Sequence, residues 1–205
     1  MTKSLKGKFI SFEGVEGSGK STQIKLLAHY FNNHDIEFIE TLEPGGTGLG
    51  LELRHMLLSG KHKLTHPLTE LLLFSADRCE HINQIIKPAL ESGKTVICDR
   101  YIDSTYAYQV GGRRLSFELI DNLINQLVIK PDITILLDFD PKEGLKRAKK
   151  RAEMDRFEQE DLHFHNRVRQ GYLKQHSREP SRIKKVDVTN LDPESVFSQI
   201  LSVLI

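Results

Sequence analysis

The chain has 205 residues, 39% of them hydrophobic, enough to bury a full core and a better fit to one domain (1–205) than to two. A formal charge of +1 with 28% charged residues leaves no global basic field, so roles coating nucleic acid or a membrane surface gain no support and cationic chemistry must be local. The only cysteines, Cys79 and Cys98, lie in apolar stretches and form no C-x-x-C pair, which points to reduced thiols and no zinc site. No run reaches the length of a transmembrane helix, and residues 1–7 do not resemble a signal or transit peptide, so a cytoplasmic protein is expected.

The first predicted strand, 9–13, runs directly into Gly14-Val15-Glu16-Gly17-Ser18-Gly19-Lys20-Ser21, after which Ile24, Leu27, Ala28 and Phe31 recur at helical spacing. This is the G-x-x-x-x-G-K-[ST] phosphate loop in its required strand-to-helix setting. Glycines let successive N–H groups turn inward, and the helix adds the positive end of its dipole. Lys20 would place a charge on the β- and γ-phosphates of a nucleoside triphosphate, and the Ser21 hydroxyl would join the shell of a bridging Mg²⁺.

Further strands are predicted at 36–41, 95–99, 133–138 and 183–188, separated by segments long enough for helices. The pattern is α/β: a P-loop NTPase fold, with a five-stranded parallel sheet flanked by helices. Residues 67–92 read as one buried helix ending near Gly93 and perturbed at Pro88. Within it Phe74 and Arg78 lie four apart and share a face, so both can address one ligand. Taken alone, Phe74 reads as core more readily than as a ligand contact, because Leu71, Leu72 and Leu73 beside it are expected to be buried.

Two strands end in aspartate, at Asp99 and Asp138, and either could help to hold a metal or its water shell. Asp99 is the stronger candidate, because Arg100 follows it at the sheet edge where open α/β folds bind ligands. A helix with Leu119, Ile120, Leu123, Ile124 and Leu127 on one face is capped by Ser116, and a last helix with Val196, Ile200, Val203 and Leu204 is opened by Asp192-Pro193. Between them, Lys146 to Arg151 has five basic residues in six, followed by Asp155-Arg156. The segment reads as a solvated basic face or as a lid over the phosphates, about 147–160. The lid is preferred because Gly17 leaves the loop without a cation of its own for the transition state.

Together these pieces resemble a bacterial-type thymidylate kinase across essentially the whole chain. The resemblance rests on residues 12–22, on Glu43-Pro44-Gly45-Gly46-Thr47, on Phe74-Ser75-Ala76-Asp77-Arg78, on Asp99-Arg100-Tyr101 with Ser104, Tyr108 and Gln109, and on Asp155-Arg156-Phe157-Glu158. It implies transfer of the γ-phosphoryl group of ATP to dTMP, giving dTDP for dTTP synthesis, with Mg²⁺ and in a homodimer. The nucleotide-binding loop would comprise Gly14, Val15, Glu16, Gly17, Ser18, Gly19, Lys20, Ser21 and Thr22, with Ser21 and Asp99 on the metal. Glu16 would meet the acceptor's 3′-hydroxyl, Phe74 would stack on thymine, and Arg78 and Gln109 would hydrogen-bond the base. Tyr108 would crowd C2′, while Glu43 and Thr105 would sit beside the acceptor. Arg54 and Arg100 would bind its phosphate, and Arg147, Arg151 and Arg156 would serve the lid. One departure stands out: Leu42 occupies the place, before Glu-Pro-Gly-Gly, where the family usually has arginine. The other readings are a kinase for a different nucleoside monophosphate and a P-loop switch or ATPase. The latter calls for a water-positioning glutamine and a partner-facing switch, and neither is evident in the sequence.

Overall fold

The structure, a computed structural model, describes residues 5–62, 64–127, 129–151 and 154–205, without the side chains of Leu127 and Arg151. Five strands, β1 (Phe9–Glu13), β2 (Phe38–Leu42), β3 (Thr95–Asp99), β4 (Ile133–Asp138) and β5 (Ile183–Asp187), form a parallel sheet in the order β2-β3-β1-β4-β5. Every residue of β1 is buried, as a central strand covered on both faces requires. Its polar Ser11 is paired through its hydroxyl with Thr134 Oγ1 at 2.7 Å.

Apolar side chains on opposite faces of the strands seed two cores. On one face Ile10, Phe12 and Ile135 pack with Leu27 and Phe31 of α1 (Lys20–Asn33), Val168 of α8 (Leu162–Arg178) and Ile200 of α9 (Pro193–Leu204). On the other, Phe9, Val96 and Cys98 meet Leu71 of α3 (Pro67–His81) and Ile120 and Ile124 of α6 (Phe117–Leu127). Because all five strands are parallel, the segments that follow them emerge at one edge of the sheet. Those segments lead into α2 (Gly48–Leu58), α5 (Ile102–Thr105) with a π-helical run Tyr106–Gly112, and α7 (Pro141–Arg151).

Several boundaries move from where the sequence puts them. Strand β2 starts at Phe38 and not at 36, because Ile36 finishes α1: its N–H bonds to Phe31 O at 3.1 Å after Asp35 turns left-handed, and its side chain is buried. Strand β5 stops at Asp187. The long helix is α3, a π-helical run Ile82–Ile86, and α4 (Lys87–Glu91). The wider π turns fall just ahead of Pro88, which has no N–H to give to a regular ladder. Of the three leucines expected inside, Leu71 is buried while Leu72 is 53% exposed; Leu119 of α6 is also exposed, at 45%. Cys79 is exposed as well, whereas Cys98 is buried and its thiol donates to Arg100 O at 3.0 Å. The helix caps fall where expected, with Ser116 Oγ accepting from Leu119 N at 3.4 Å and Asp192 Oδ1 from Ser195 N at 2.8 Å.

Candidate active site

The phosphate loop joins β1 to α1. Gly14 has a φ of +143°, and a Cβ there would lie 2.5 Å from Leu137 O, so the loop can hug β4 only with glycine. Gly19 stands at the start of α1 with φ +95°, and no side chain caps the helix, which leaves first-turn N–H groups for an anion. Lys20 is only 7% exposed: its Nζ donates to Gly14 O at 3.0 Å and Val15 O at 3.2 Å. Burial, followed by the repulsion of Arg100, lowers its pKa against the pull of Glu16, Asp99 and Glu13.

Beside the loop, Arg100 sits in a left-handed conformation, φ +67°, that a residue with a Cβ adopts only when its surroundings enforce it. The enforcement comes from Glu13, a residue the motif reading did not single out. Its carboxylate accepts from Tyr101 N at 2.8 Å, Ser104 N at 3.3 Å, Ser104 Oγ at 2.6 Å and Tyr172 OH at 3.1 Å. The same two hydroxyls receive Arg100 Nη1 at 3.4 and 3.0 Å, and Nη1 also reaches Gly14 O at 3.1 Å. Arg100 Nη2 pairs with Glu16, whose other oxygen accepts from Tyr108 OH at 2.6 Å. Burial alone would raise Glu16, but Arg100, Lys20 and the tyrosine hydroxyl together hold it down at about 2.

Glu13 goes the other way. Burial, then the charge of Asp103, raises its carboxyl to about 7 despite the opposing Ser104 hydrogen bond and Arg100 charge. Folded Glu13 thus keeps its proton up to about pH 7, while the unfolded chain releases it near 4.5. The stability contributed by this group is therefore full below about pH 4.5 and is lost as the pH rises to about 7. Asp77, raised to about 7 by burial and then by Glu43, adds a slope of the same sign. Glu13→Gln is expected to flatten, without abolishing, the fall in urea midpoint across this window. An unchanged slope in the variant would contradict the assignment.

On the β2/β3 side, Arg78 is buried and oriented by Glu43 Oε2 at 2.8 Å from Nε and by Thr105 Oγ1 at 2.9 Å from Nη1. Glu43 is itself held by His81 Nδ1 at 3.0 Å, and Asp77 Oδ1 accepts Gly45 N at 3.0 Å. The Glu-Pro-Gly-Gly-Thr stretch therefore serves to fix Arg78, with Thr47 capping α2 by accepting Gly50 N at 2.9 Å. Arg54 donates to Pro44 O at 2.8 Å. The π-helical run carries Tyr108 and Gln109. It lies close against α8, where a Cβ on Gly171 would meet Ala107 Cα at 2.7 Å. Phe157 packs between Phe74 and Tyr108, with ring centroids 6.0 and 5.5 Å away.

The first residues of the expected lid, 147–151, are the end of the helix α7, which is seated on the phosphate loop. A Cβ on Gly144 would come within 2.1 Å of Glu16 O, and one on Gly17 within 2.3 Å of Gly144 O, so the two backbones touch directly. Arg147 lies over the Phe139 ring, 4.1 Å from its centroid, with Nη1 3.5 Å from Gly17 O. The side chain of Arg151 lies outside the described residues. Arg156, expected at the phosphates, is placed elsewhere: Nε donates to Leu57 O at 2.7 Å, and Nη1 pairs with buried Glu70 at 2.8 Å. Asp155 and Glu158 close a reciprocal turn, Asp155 Oδ1 accepting Glu158 N at 2.9 Å and Glu158 Oε2 accepting Asp155 N at 2.9 Å. Motif pattern therefore gathered four residues, Asp155 to Glu158, of which two shape a turn and one anchors it.

All of this surrounds one cavity of about 490 Å³. Its lining includes Lys20, Ser21 and Thr22 in the middle, Arg54, Phe74, Arg78, Tyr108 and Gln109 towards β2 and β3, and Val188, Leu191, Pro193 and Val196 after β5. The last group is apolar and was not anticipated from sequence, because it follows an edge strand and carries no motif.

The sequence matches the thymidylate kinase family model over residues 12–200. The thymidylate kinase of Trichormus variabilis is 48% identical over 205 residues, covering 97% of this chain and 95% of that one. The chain belongs to the thymidylate kinase family. The enzyme of the same name from Carboxydothermus hydrogenoformans is 46% identical, covering 96% of both chains. A crystal structure of thymidylate kinase from Ehrlichia chaffeensis superposes with a TM-score of 0.78 at 37% identity, over 97% of this chain and 98% of that one. Members of the family transfer phosphoryl groups, and the site has oxygen donors suited to the Mg²⁺ such chemistry uses. Asp99 Oδ1 is buried without a hydrogen-bond partner, and Oδ2 is 3.4 Å from Ser21 Oγ. Two hard oxygens fit an ion that takes its remaining ligands from phosphate and water. Among the described residues no three acidic, histidine or cysteine side chains converge into a protein-only cage. Asp138 is instead held by Arg169, Nε at 2.7 Å and Nη2 at 3.1 Å, and ties β4 to α8. Leu42, where the family usually has arginine, lines the cavity and brings no cation to it.

Proposed function

We propose that this chain, acting as one domain, phosphorylates dTMP to dTDP with ATP and Mg²⁺ as a cytoplasmic homodimer. The observation that carries the reading is the single cavity in which the phosphate loop lies between a motif-lined polar end and an apolar end. The apolar residues after β5 suit a flat adenine, and the Phe74, Arg78 and Gln109 end suits a base. The acceptor phosphate, with a second pKa near ~6, is already ionised at neutral pH and needs no general base. Catalysis is then positioning and charge neutralisation. Arg100, propped by Ser104 and Tyr172, holds the acceptor phosphate beside the loop. Glu16, ionised across the working pH range, accepts a hydrogen bond from the acceptor sugar. Lys20 leaves its two carbonyls for the β- and γ-phosphates. Ser21 and Asp99 would hold Mg²⁺, which would offset the negative charge of the phosphates.

ADP release with and without dTMP is the direct test. Strong acceptor dependence supports the kinase, and acceptor-independent turnover means a hydrolase. Selectivity extends the test. One methyl in an apolar pocket is worth about 1–3 kcal/mol, so dTMP should exceed dUMP by roughly 10–200-fold in kcat/KM. UMP should be poorer than dUMP, because its 2′-hydroxyl meets Tyr108, whose ring is buried and whose hydroxyl is committed to Glu16. Tyr108→Ala should narrow the gap between dUMP and UMP and leave that between dTMP and dUMP largely alone. Equal use of UMP and dUMP by the unaltered protein would remove the tyrosine from the argument.

A further inference from the structure

The side-chain amide of Gln109 is nearly symmetric in shape and opposite in hydrogen bonding at its two ends, so what it reads depends on which end faces the cavity. Glu70, on α3, decides this. It is 2% exposed, and its Oε1 accepts Gln109 Nε2 at 2.8 Å. A carboxylate offers only acceptors, so the NH₂ end must face Glu70, and Oε1 is the amide atom left to the cavity that Gln109 lines. Two guanidinium groups keep the carboxylate from turning away. Arg113 Nε lies 3.2 Å from each of its oxygens, and Arg156 Nη1 lies 2.8 Å from Oε2.

On the same cavity Arg78 can only donate, and its orientation is set by Glu43 and Thr105. The wall thus presents an acceptor beside a donor. We propose that Glu70 is a specificity-determining positioning residue: by fixing the amide of Gln109 it selects a pyrimidine whose ring N–H lies next to a carbonyl, and it disfavours the cytosine edge. On that edge the ring nitrogen accepts and the exocyclic amine donates, so both contacts would be mismatched. Glu70 does not touch the base, and no sequence motif marks it. The proposal rests on the reading of this end of the cavity as the acceptor-base site.

The test is the ratio of kcat/KM for dTMP over dCMP in the unaltered enzyme, Glu70→Gln and Glu70→Asp. An amide at position 70 can meet either end of Gln109, so Glu70→Gln should lower the ratio by about tenfold or more. Glu70→Asp remains acceptor-only and should keep most of the preference even where its rate falls. A role confined to bracing Arg113 and Arg156 would lower both substrates in parallel, and that result, or an unchanged ratio, overturns the proposal. Should Glu70→Gln not fold, the charge-balanced pair Glu70→Gln/Arg113→Met carries the same expectation. An unaltered enzyme that uses dCMP as readily as dTMP would instead overturn the base-site reading underneath.

Discussion

Replacing Lys20 with Met should lower kcat by about 10²–10³-fold or more, the loss associated with removing a preorganised donor from developing charge, and leave the fold intact. The ammonium is enclosed by the loop, with Gly14 O and Val15 O as its hydrogen-bond acceptors, and burial already disfavours its charge. Methionine keeps the stem that packs there and removes only a poorly solvated cation. Gly14 O still accepts from Arg100 and Val15 O from Ser18 N, so the variant should lose only about 1–2 kcal/mol and melt a few degrees below the unaltered protein. Turnover and thermal melting measured together check this. Near-normal turnover with unchanged melting would take the loop lysine out of the mechanism.

Arg147→Ala should produce the second large loss. With Gly17 in the loop, charge that develops between donor and acceptor has no cation from the loop's variable positions. Arg147 is the described lid arginine nearest to that space, 3.5 Å from Gly17 O and stacked on Phe139. Arginines in this role contribute about 10³–10⁵-fold, or roughly 4–7 kcal/mol. The loss should fall on kcat, with the acceptor KM nearly unchanged. Arg156→Ala should behave differently. Its guanidinium is engaged by Glu70 and Leu57 O, so removing it should destabilise the protein by about 1–3 kcal/mol, less than an orphaned buried charge would cost because Arg113 still pairs with Glu70. If Arg147→Ala changes only the KM for ATP, α7 is a binding face and not a source of transition-state charge.

The amino-acid sequence by itself determined the strands β1, β3 and β4, the phosphate loop between β1 and α1, the caps of α6 and α9, and the family. Each of these is local. A strand buried on both faces reads as a continuous apolar run, a loop around phosphate needs glycines at set intervals, and a cap is one side chain three residues from its partner. The tertiary structure decided what the motif residues touch. Glu13 and Tyr172 are 159 positions apart yet share a hydrogen bond that props Arg100, and Glu43 and Asp77 turned out to brace Arg78 and the Gly45 turn. Leu72 and Leu119 face outward because apolar periodicity gives a helix a stripe but not its edges. Arg156 and Glu70 meet across 86 residues, and no spacing rule connects them. Hydrogen bonds between distant segments carry no periodicity, so only the packed chain shows which charges serve the cavity and which hold its walls.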